Sequence, residues 1–216
     1  QNSVMSRFIS GNALTLLCNG VQYFPALISA IDRARSAIFL ETYIFSADTT
    51  GVAVAAALSA AARRGVAVHV LIDGYGSKAY ADEPLLDGLR AAGVRVALYR
   101  PDVFRNVWRR TRLRRQHRKL VVVDGAVGFI GGINIIDDLH TPRHTPPRID
   151  FAVRVEGPIL AQMVATTARL WNIGAEAQLY AGAIMAVLLG TGALGSPLVL
   201  PVSALAATLA GAAMLL

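Results

Sequence analysis

One short stretch of the sequence holds side chains whose types and spacing suit a chemical step. His117 and Lys119 are followed by Asp124, by the pair Gly131-Gly132 and by Asn134. An imidazole can attack phosphorus and form a covalent phosphohistidine, which divides one difficult displacement into two easier ones. An ammonium and an amide can hold the non-bridging oxygens and stabilise the charge of the transition state. The stretch therefore predicts phosphoryl chemistry.

The same stretch predicts a β-hairpin that would position these groups. Residues 120–123 form an apolar, β-branched run, Asp124-Gly125 is a two-residue turn signal, and residues 126–130 form the returning strand. Side chains alternate along a strand, so we expect His117 and Lys119 on one face, about 7 Å apart. Asp124, at the turn, is expected to fix the hairpin or a neighbouring cation.

Counting back from the turn gives the expected pairing of the two strands. The predicted pairs are Val123 with Ala126, Lys119 with Ile130, and His117 with Gly132. Both glycines would then lie beside the histidine and leave space for a ligand. Asn134 would follow them, with an amide to donate.

A lone histidine and lysine of this spacing would be typical of an exposed edge strand, with the glycine pair as a simple loop. The full string is more specific, because several residue types must coincide. At these residues the sequence resembles the phospholipase D superfamily. The resemblance marks His117, Lys119 and Asp124 as catalytic and Gly131, Gly132 and Asn134 as substrate-binding. The flanking segments GNALTLLCNG, IFLETYIFSADTTG and DFAVRVEGPIL look like its bacterial cardiolipin synthase branch, and the resemblance covers residues 11 to about 173.

The resemblance implies a fold and a reaction. The expected fold is α/β, a phospholipase D-like α/β/α sandwich with a mixed sheet and two motifs per active site. The expected reaction is phosphatidyl transfer on an anionic glycerophospholipid through a phosphohistidine, without a metal or other cofactor. In family members an acid on the strand after the motif orients the histidine, and Asp150 is the matching position. A turn or strand-start aspartate is the structural alternative.

One catalytic histidine is not enough for this reaction. A second one must protonate the leaving alcohol and later deprotonate the incoming one. His69, His140 and His144 lack the motif context for that role. The second motif is therefore expected either from a homodimer mate or from a further C-terminal half of the protein.

The formal charge of +7 is concentrated just before the motif. The basic stretch is interrupted by Trp108 and other apolar side chains but by no acid, and such a run is often a solvated face. Because it leads into the motif, we expect it to bind an anionic surface, either phospholipid headgroups or nucleic acid. Trp108 favours the lipid interface. The arginines assigned to this surface are Arg109, Arg110, Arg112, Arg114 and Arg115.

The rest of residues 11–173 reads as alternating strands and helices, which indicates an α/β sheet with parallel pairs. Glu41 lies within a predicted strand, where a carboxylate is costly unless it is paired. We expect it to be a buried structural partner for a cation near the site, with a catalytic acid as the alternative. The strands are predicted at 13–18, 38–45, 66–72, 94–99 and 150–156, and the helices at 21–37, 51–65, 83–92 and 157–171.

The segment 177–216 has no charged residue and forms an apolar tail. Its two apolar runs, separated by residues 190–197, would fit a transmembrane hairpin or a truncated or frameshifted sequence. The expected location is the inner, cytoplasmic membrane, peripheral or anchored by the tail. We expect a phosphatidyltransferase of the cardiolipin synthase type. The alternatives are a homodimeric phosphodiesterase or nuclease of the same superfamily, and an inactive half-domain that binds anionic membranes.

Overall fold

The computed structural model describes residues 10–99, 115–140 and 145–171, with side chains as far as residue 165. The chain divides into two units, Gln1–Val164 and Ala165–Leu216, and every strand of the described residues lies in the first. Several predictions lie outside the described residues. They concern Arg109, Arg110, Arg112, Arg114, Trp108, His144 and the tail 177–216.

Strands and helices alternate along the chain up to the fourth strand, as the sequence predicts. The structure gives β1 (Ala13–Cys18), α1 (Asn19–Arg33), β2 (Ala37–Thr42), α2 (Thr49–Arg63), β3 (Ala67–Asp73), α3 (Glu83–Ala91), β4 (Arg95–Tyr99), β5 (Leu120–Val123), β6 (Val127–Gly131), β7 (Phe151–Glu156) and α4 (Leu160–Trp171).

The strands form one mixed sheet in the order β1-β7-β6-β5-β2-β3-β4. Strands β2, β3 and β4 are parallel, whereas β5 runs antiparallel to β2, and β6, β7 and β1 continue the antiparallel part. The carboxyl ends of β2 and β3 and the amino end of β5 therefore meet at one edge of the sheet. The segment that contains His117 and Lys119 enters the sheet at this edge.

Helices cover both faces of the sheet. Alternate residues of the central strands, such as Leu40 and Val121, are buried in one core with Leu27 of α1 and Leu58 of α2. On the other face, a Cβ added at Gly128 would lie 2.6 Å from Leu160 of α4. The α/β/α sandwich with a mixed sheet is confirmed.

The turn after β5 explains where α1 ends and β2 begins. The Asp124 carboxylate accepts hydrogen bonds from the backbone N–H groups of Arg35, Ser36 and Ala37, at 2.8 to 2.9 Å. These N–H groups are therefore unavailable to the helix, which ends at Arg33 rather than at residue 37. Strand β2 then begins at Ala37, one residue earlier than predicted.

The predicted hairpin register is wrong by one residue. Asp124 and Gly125 both have positive φ, of 53° and 63°, and the N–H of Ala126 donates to the Val123 carbonyl at 2.9 Å. Ala126 is an additional turn residue, so Val123 pairs with Val127 instead. The predicted pairs Lys119 with Ile130 and His117 with Gly132 are replaced by Leu120 with Ile130, and the Lys119 carbonyl accepts from Gly131 at 3.3 Å.

Candidate active site

His117 and Lys119, the first two residues of the motif, lie just before β5 and are close together. The Lys119 ammonium donates to the backbone carbonyl of His117 at 3.0 Å. Lys119 is 7% exposed, whereas His117 is exposed to solvent. Both side chains lie against Tyr43, with the His117 ring centroid 4.7 Å from the tyrosine ring and the Lys119 nitrogen 5.2 Å from it. The predicted common face of His117 and Lys119 is therefore consistent with the structure, although neither belongs to the regular strand.

The surroundings favour a neutral imidazole beside a cation. Partial burial and the charge of Lys119 lower the pKa of His117, against the opposing effect of the Asp73 carboxylate. A neutral ring has a lone pair available for attack on phosphorus. Burial also lowers the pKa of Lys119, to about 8, although Asp150 opposes this shift. At neutral pH Lys119 remains largely charged and suited to bind a phosphate oxygen.

Two buried acids hold the segment that precedes β5. Gln116 donates its backbone N–H to Asp73 at 2.7 Å and its side-chain amide to Glu41 at 2.6 Å. The Arg118 Nε atom lies 3.1 Å from the same Glu41 oxygen. Residues 116 to 119 therefore alternate, with Gln116 and Arg118 on Glu41 and with the two motif residues on Tyr43. The prediction that Glu41 is a buried partner for a cation near the site is confirmed.

Glu41 is an unusual carboxyl group. It is 1% exposed, and its Oε1 atom has no hydrogen-bond partner within the part of the chain that the structure describes. Burial raises its pKa to about 7, against the opposing effects of Arg118 and Gln116. Near neutral pH this group therefore exists in both protonation states.

The glycine pair serves the packing of the sheet. A Cβ at Gly131 would lie 2.5 Å from the Cα of Ala152, and one at Gly132 would lie 2.8 Å from the Asp150 carboxyl carbon. The space that we expected a ligand to use is therefore filled by β7 and the residue before it. The glycines allow that strand to approach the site closely.

Asn134 is buried beside the same edge and has one function visible in the structure. Its side-chain oxygen accepts from the backbone N–H of Ile44 at 3.0 Å. This bond orients the amide and leaves its Nδ2 group as a donor with no partner recorded among the described residues. The predicted binding of a phosphate oxygen by Asn134 would therefore use the Nδ2 group as the donor.

Asp124 and Asp150 make contacts other than those expected of residues at the reacting centre. Partial burial would raise the pKa of Asp124, but hydrogen bonds from Ala37, Arg35 and Ser36 outweigh it and lower the pKa to about 2. Its expected part in fixing the hairpin is thus visible, since these bonds tie the turn to the start of β2. The Asp150 carboxylate accepts from Phe151 at 2.8 Å.

The predicted hydrogen bond from His117 to Asp150 is not among the contacts of the described residues. Asp150 lies 3.7 Å from Arg148 Nε, and its charge acts on Lys119 instead. Asp73 is the carboxylate whose charge raises the pKa of His117. The Asp73 carboxylate accepts a hydrogen bond from the backbone N–H of Gln116, which places it next to the motif, whereas Asp150 lies against Gly132 and Arg148.

Sequence reasoning did not identify Tyr43, Asp73, Gln116 or Arg118 as parts of the site. The available signal was the alternation of Glu41 and Tyr43 at the end of β2. Arg115 is the one arginine of the predicted anionic-surface set that the structure describes. Its guanidinium carbon lies 4.2 Å from the centre of the exposed Tyr75 ring.

Residues 27–145 match the family described as "Cardiolipin synthase, PLD-like domain". Cardiolipin synthase B of Escherichia coli (strain K12) is 44% identical over 154 residues, which cover 71% of this chain and 37% of the relative. Cardiolipin synthase A of Pseudomonas putida (strain GB-1) is 37% identical over 167 residues, which cover 76% of this chain and 34% of the relative. The matched region thus spans little more than a third of each of these relatives.

Solved structures show the same fold. Nuc of Salmonella typhimurium, described as a phospholipase D family member, aligns with a TM-score of 0.57 and 20% sequence identity, over 75% of this chain and 95% of its own. NucT of Helicobacter pylori aligns with a TM-score of 0.57 and 15% identity, over 75% of this chain and 97% of its own.

Proposed function

Because the chain belongs to the cardiolipin synthase family with a phospholipase D-like domain, we propose that it contributes one motif to a phosphatidyltransferase that works through a phosphohistidine. The substrate class is anionic glycerophospholipid. The observation that supports this most is the pairing of an exposed His117, with a lowered pKa, and the buried Lys119 ammonium on one aromatic ring. A nucleophile and an adjacent cation are what attack on a phosphodiester needs.

The reaction has two displacements. A nitrogen of neutral His117 attacks the donor phosphorus, the bond from phosphorus to the leaving alcohol breaks, and an acid from the second motif protonates that alcohol. The acceptor alcohol then attacks the phosphohistidine, its proton passes to the same group of the second motif, and the N–P bond breaks. Lys119 and the Asn134 amide hold the non-bridging oxygens during both steps.

The second motif comes either from another copy of the chain or from a further C-terminal half. The relatives named above are longer than the matched region by a factor of more than two, which is compatible with both arrangements. We propose that the enzyme acts at the cytoplasmic membrane, where anionic headgroups attract Arg109, Arg110, Arg112, Arg114 and Arg115. Within the ranges that the structure describes, no helix combines the length and apolarity needed to cross a bilayer.

The experiment is covalent trapping with phosphatidylglycerol labelled in its phosphatidyl group. The 216-residue chain is incubated with the lipid in mixed micelles and quenched in alkali, because phosphohistidine is acid-labile. We expect protein-bound label and lipid product from the wild type and from His140→Gln, a control at an exposed loop position. His117→Gln should give neither, and label that persists in this variant would overturn the proposal.

The same variants test the two alternatives. Salt-sensitive cleavage of DNA without lipid transfer, lost in His117→Gln, would identify a nucleic-acid phosphodiesterase. Equal binding of wild type and His117→Gln to vesicles containing anionic lipid, with no product from lipid or DNA, would identify an inactive membrane-binding domain.

A further inference from the structure

A tyrosine outside the motif touches both of the reactive side chains that the motif supplies. Tyr43 directly follows the last residue of β2. Its ring centroid lies 4.7 Å from that of the His117 imidazole, with the two planes tilted by 57°. The Lys119 ammonium nitrogen lies 5.2 Å from the same ring centroid, within the range of cation–π attraction. One ring therefore contacts the nucleophile and the phosphate-binding cation together.

A glycine packs closely against the Tyr43 ring. A Cβ at Gly76 would lie 2.6 Å and 2.7 Å from the Cε2 and Cδ2 atoms of Tyr43, and 2.5 Å from its carbonyl oxygen. These distances are well inside van der Waals contact, so a side chain at residue 76 would have to displace the ring or the backbone. The tyrosine ring is therefore packed closely against the backbone at Gly76 as well as against the motif residues.

Hydrogen bonds of a buried turn hold the backbone on which the Tyr43 ring is mounted. Asp73 is 1% exposed, and its carboxylate accepts from the N–H groups of Tyr75 and Gly76, at 3.0 Å and 2.8 Å. The Ser77 hydroxyl donates to the Tyr43 carbonyl at 3.0 Å and accepts from the Phe45 N–H at 3.0 Å. The carbonyl of Tyr43 and the backbone that follows it are thus held by the turn that contains Gly76.

A fixed position of the Tyr43 ring matters because the displacement at phosphorus has a strict geometry. The attacking nitrogen must approach phosphorus in line with the leaving oxygen, while the ammonium binds a non-bridging oxygen of the same phosphate. The His117 side chain makes no hydrogen bond within the described residues, and its contact with the Tyr43 ring restrains its rotation. The electron-rich face of the tyrosine also attracts the Lys119 ammonium and keeps it beside the imidazole.

We propose that Tyr43 is a positioning residue for phosphatidyl transfer, and that its ring, seated against Gly76, fixes the imidazole of His117 and the ammonium of Lys119 at one separation. The inference rests on the proposed function for the identity of the substrate phosphate. The contact itself does not depend on that function, and the test below measures it separately.

Three variants separate the contribution of the Tyr43 ring from that of its hydroxyl group and from that of its packing against Gly76. Tyr43→Leu removes the aromatic face and should lower kcat about 30-fold, with KM within about twofold of the wild type, because a misplaced nucleophile costs turnover rather than binding. Tyr43→Phe keeps the ring and should remain within about threefold of wild-type kcat. Gly76→Ala keeps the tyrosine but adds a methyl group that must displace its ring or the backbone beside it, and should lower kcat about tenfold.

Two control variants make the same chemical changes elsewhere. Phe39→Leu removes an aromatic ring of β2 that stacks on His69 of β3, with ring centroids 4.9 Å apart. Gly88→Ala adds a methyl group in α3, where an added Cβ meets nothing within 4 Å. Both should keep wild-type kcat and KM.

A histidine-specific NMR spectrum provides a readout that needs no activity. The His117 signal is assigned by its loss in His117→Gln. Tyr43→Leu and Gly76→Ala should shift the His117 signal and leave that of His69 unchanged, whereas Phe39→Leu should do the reverse. If the wild type transfers no lipid, this spectrum still tests the positioning role, so the two proposals fail separately.

Thermal unfolding followed by circular dichroism shows which variants fold. If Tyr43→Leu does not fold, Gly76→Ala tests the same contact with the tyrosine present. Wild-type kcat together with an unshifted His117 signal in the folded variants would overturn the proposal. An equal loss of kcat in Tyr43→Phe and Tyr43→Leu would also overturn it, because the hydroxyl rather than the ring would then be responsible.

Discussion

Lys119 shows how a single buried cation can make the site sensitive to pH. The residue is 7% exposed, and burial lowers its pKa to about 8 while Asp150 opposes the shift. An exposed lysine would remain charged well above that pH. In this site the ammonium that would bind phosphate begins to lose its proton just above neutrality. The alkaline limit of activity should therefore be set by Lys119.

The first prediction concerns this alkaline limit. The wild-type kcat/KM for phosphatidyl transfer should fall above about pH 8, because the neutral amine no longer binds a phosphate oxygen. Lys119→Arg should be less active at every pH, since a guanidinium has a different shape, but it keeps its charge and should lose this alkaline limb. The exposed variant Lys78→Arg is the matched control and should keep the wild-type profile. An alkaline limb unchanged in Lys119→Arg would assign it to another group.

At this scale, the sequence could predict the groups of the motif but not their partners. The full motif from His117 to Asn134 indicated phosphoryl chemistry because several residue types must coincide in it. The contacts of His117 and Lys119 with Tyr43 depend on how the end of β2 meets the start of β5, which no local pattern reports. The same holds for Asp150, whose carboxylate lies beside Arg148 and acts on Lys119 because Gly132 lets β7 approach.

At the scale of elements, the end of β2 organises the site through Glu41, within the strand, and Tyr43, just after it. Glu41 binds Gln116 and Arg118, while Tyr43 contacts the motif residues. The contacts of the segment before β5 therefore alternate residue by residue between the side chains of Glu41 and Tyr43, as side chains alternate along an extended strand. A buried acid is the centre of one half of this arrangement.

The second prediction concerns the effect of Glu41, the buried acid, on the stability of the fold. The folded-state pKa of Glu41, about 7, is raised above its ordinary value of 4.5 by burial. Between these values the folded state binds more protons than the unfolded state, so the free energy of unfolding should fall as pH rises from 4.5 to 7. Residue 41 cannot titrate in Glu41→Gln. The unfolding free energy of this variant should therefore vary over this window by about 3 kcal/mol less than that of the wild type.

Urea unfolding at pH 4.5 and pH 8 measures this difference. The control is Glu156→Gln, which removes a half-exposed carboxylate paired with Arg154 at 2.7 Å. It should keep the pH dependence of the wild type. Parallel pH dependences for the wild type and Glu41→Gln would show that the carboxyl group ionises as readily in the fold as in the unfolded chain.

The elements themselves were largely predictable, whereas their ends and register were not. Apolar periodicity and glycine stops located every helix and strand in the described part of the chain. The register of β5 and β6 was missed because the turn signal Asp124-Gly125 does not reveal that Ala126 also belongs to the turn. The early end of α1 depends on bonds from residues 35 to 37 to Asp124, almost 90 positions later in the sequence.

At the scale of the whole molecule, the central question is where the second motif comes from. A phosphohistidine mechanism needs a proton donor for the leaving alcohol in addition to the nucleophile. If two copies of the chain build one site, each must supply its His117, one as the nucleophile and the other as the acid. The dependence of activity on subunit mixing then differs from that of independent chains.

The third prediction uses this difference. Wild-type and His117→Gln chains are mixed, unfolded and refolded together in different proportions, and lipid transfer is measured. For two copies that share a site, activity should follow the square of the wild-type fraction, and we expect this for the 216-residue chain on its own. A linear dependence would show that each chain works independently of other copies. His140→Gln replaces His117→Gln in the control series and should leave activity unchanged at all proportions.

The pairing of β1 with β7 has a consequence for how the protein is made. Strand β1 forms one edge of the sheet, and Leu14 and Leu16 remain exposed even in the folded structure. Its partner residues, Phe151 to Glu156, leave the ribosome about 140 residues later, which is roughly 7 to 30 s at usual rates of synthesis. During that interval β1 has an unpaired apolar edge, the kind of surface from which chains aggregate. Production of soluble protein should therefore depend on translation speed and on chaperones that bind nascent chains.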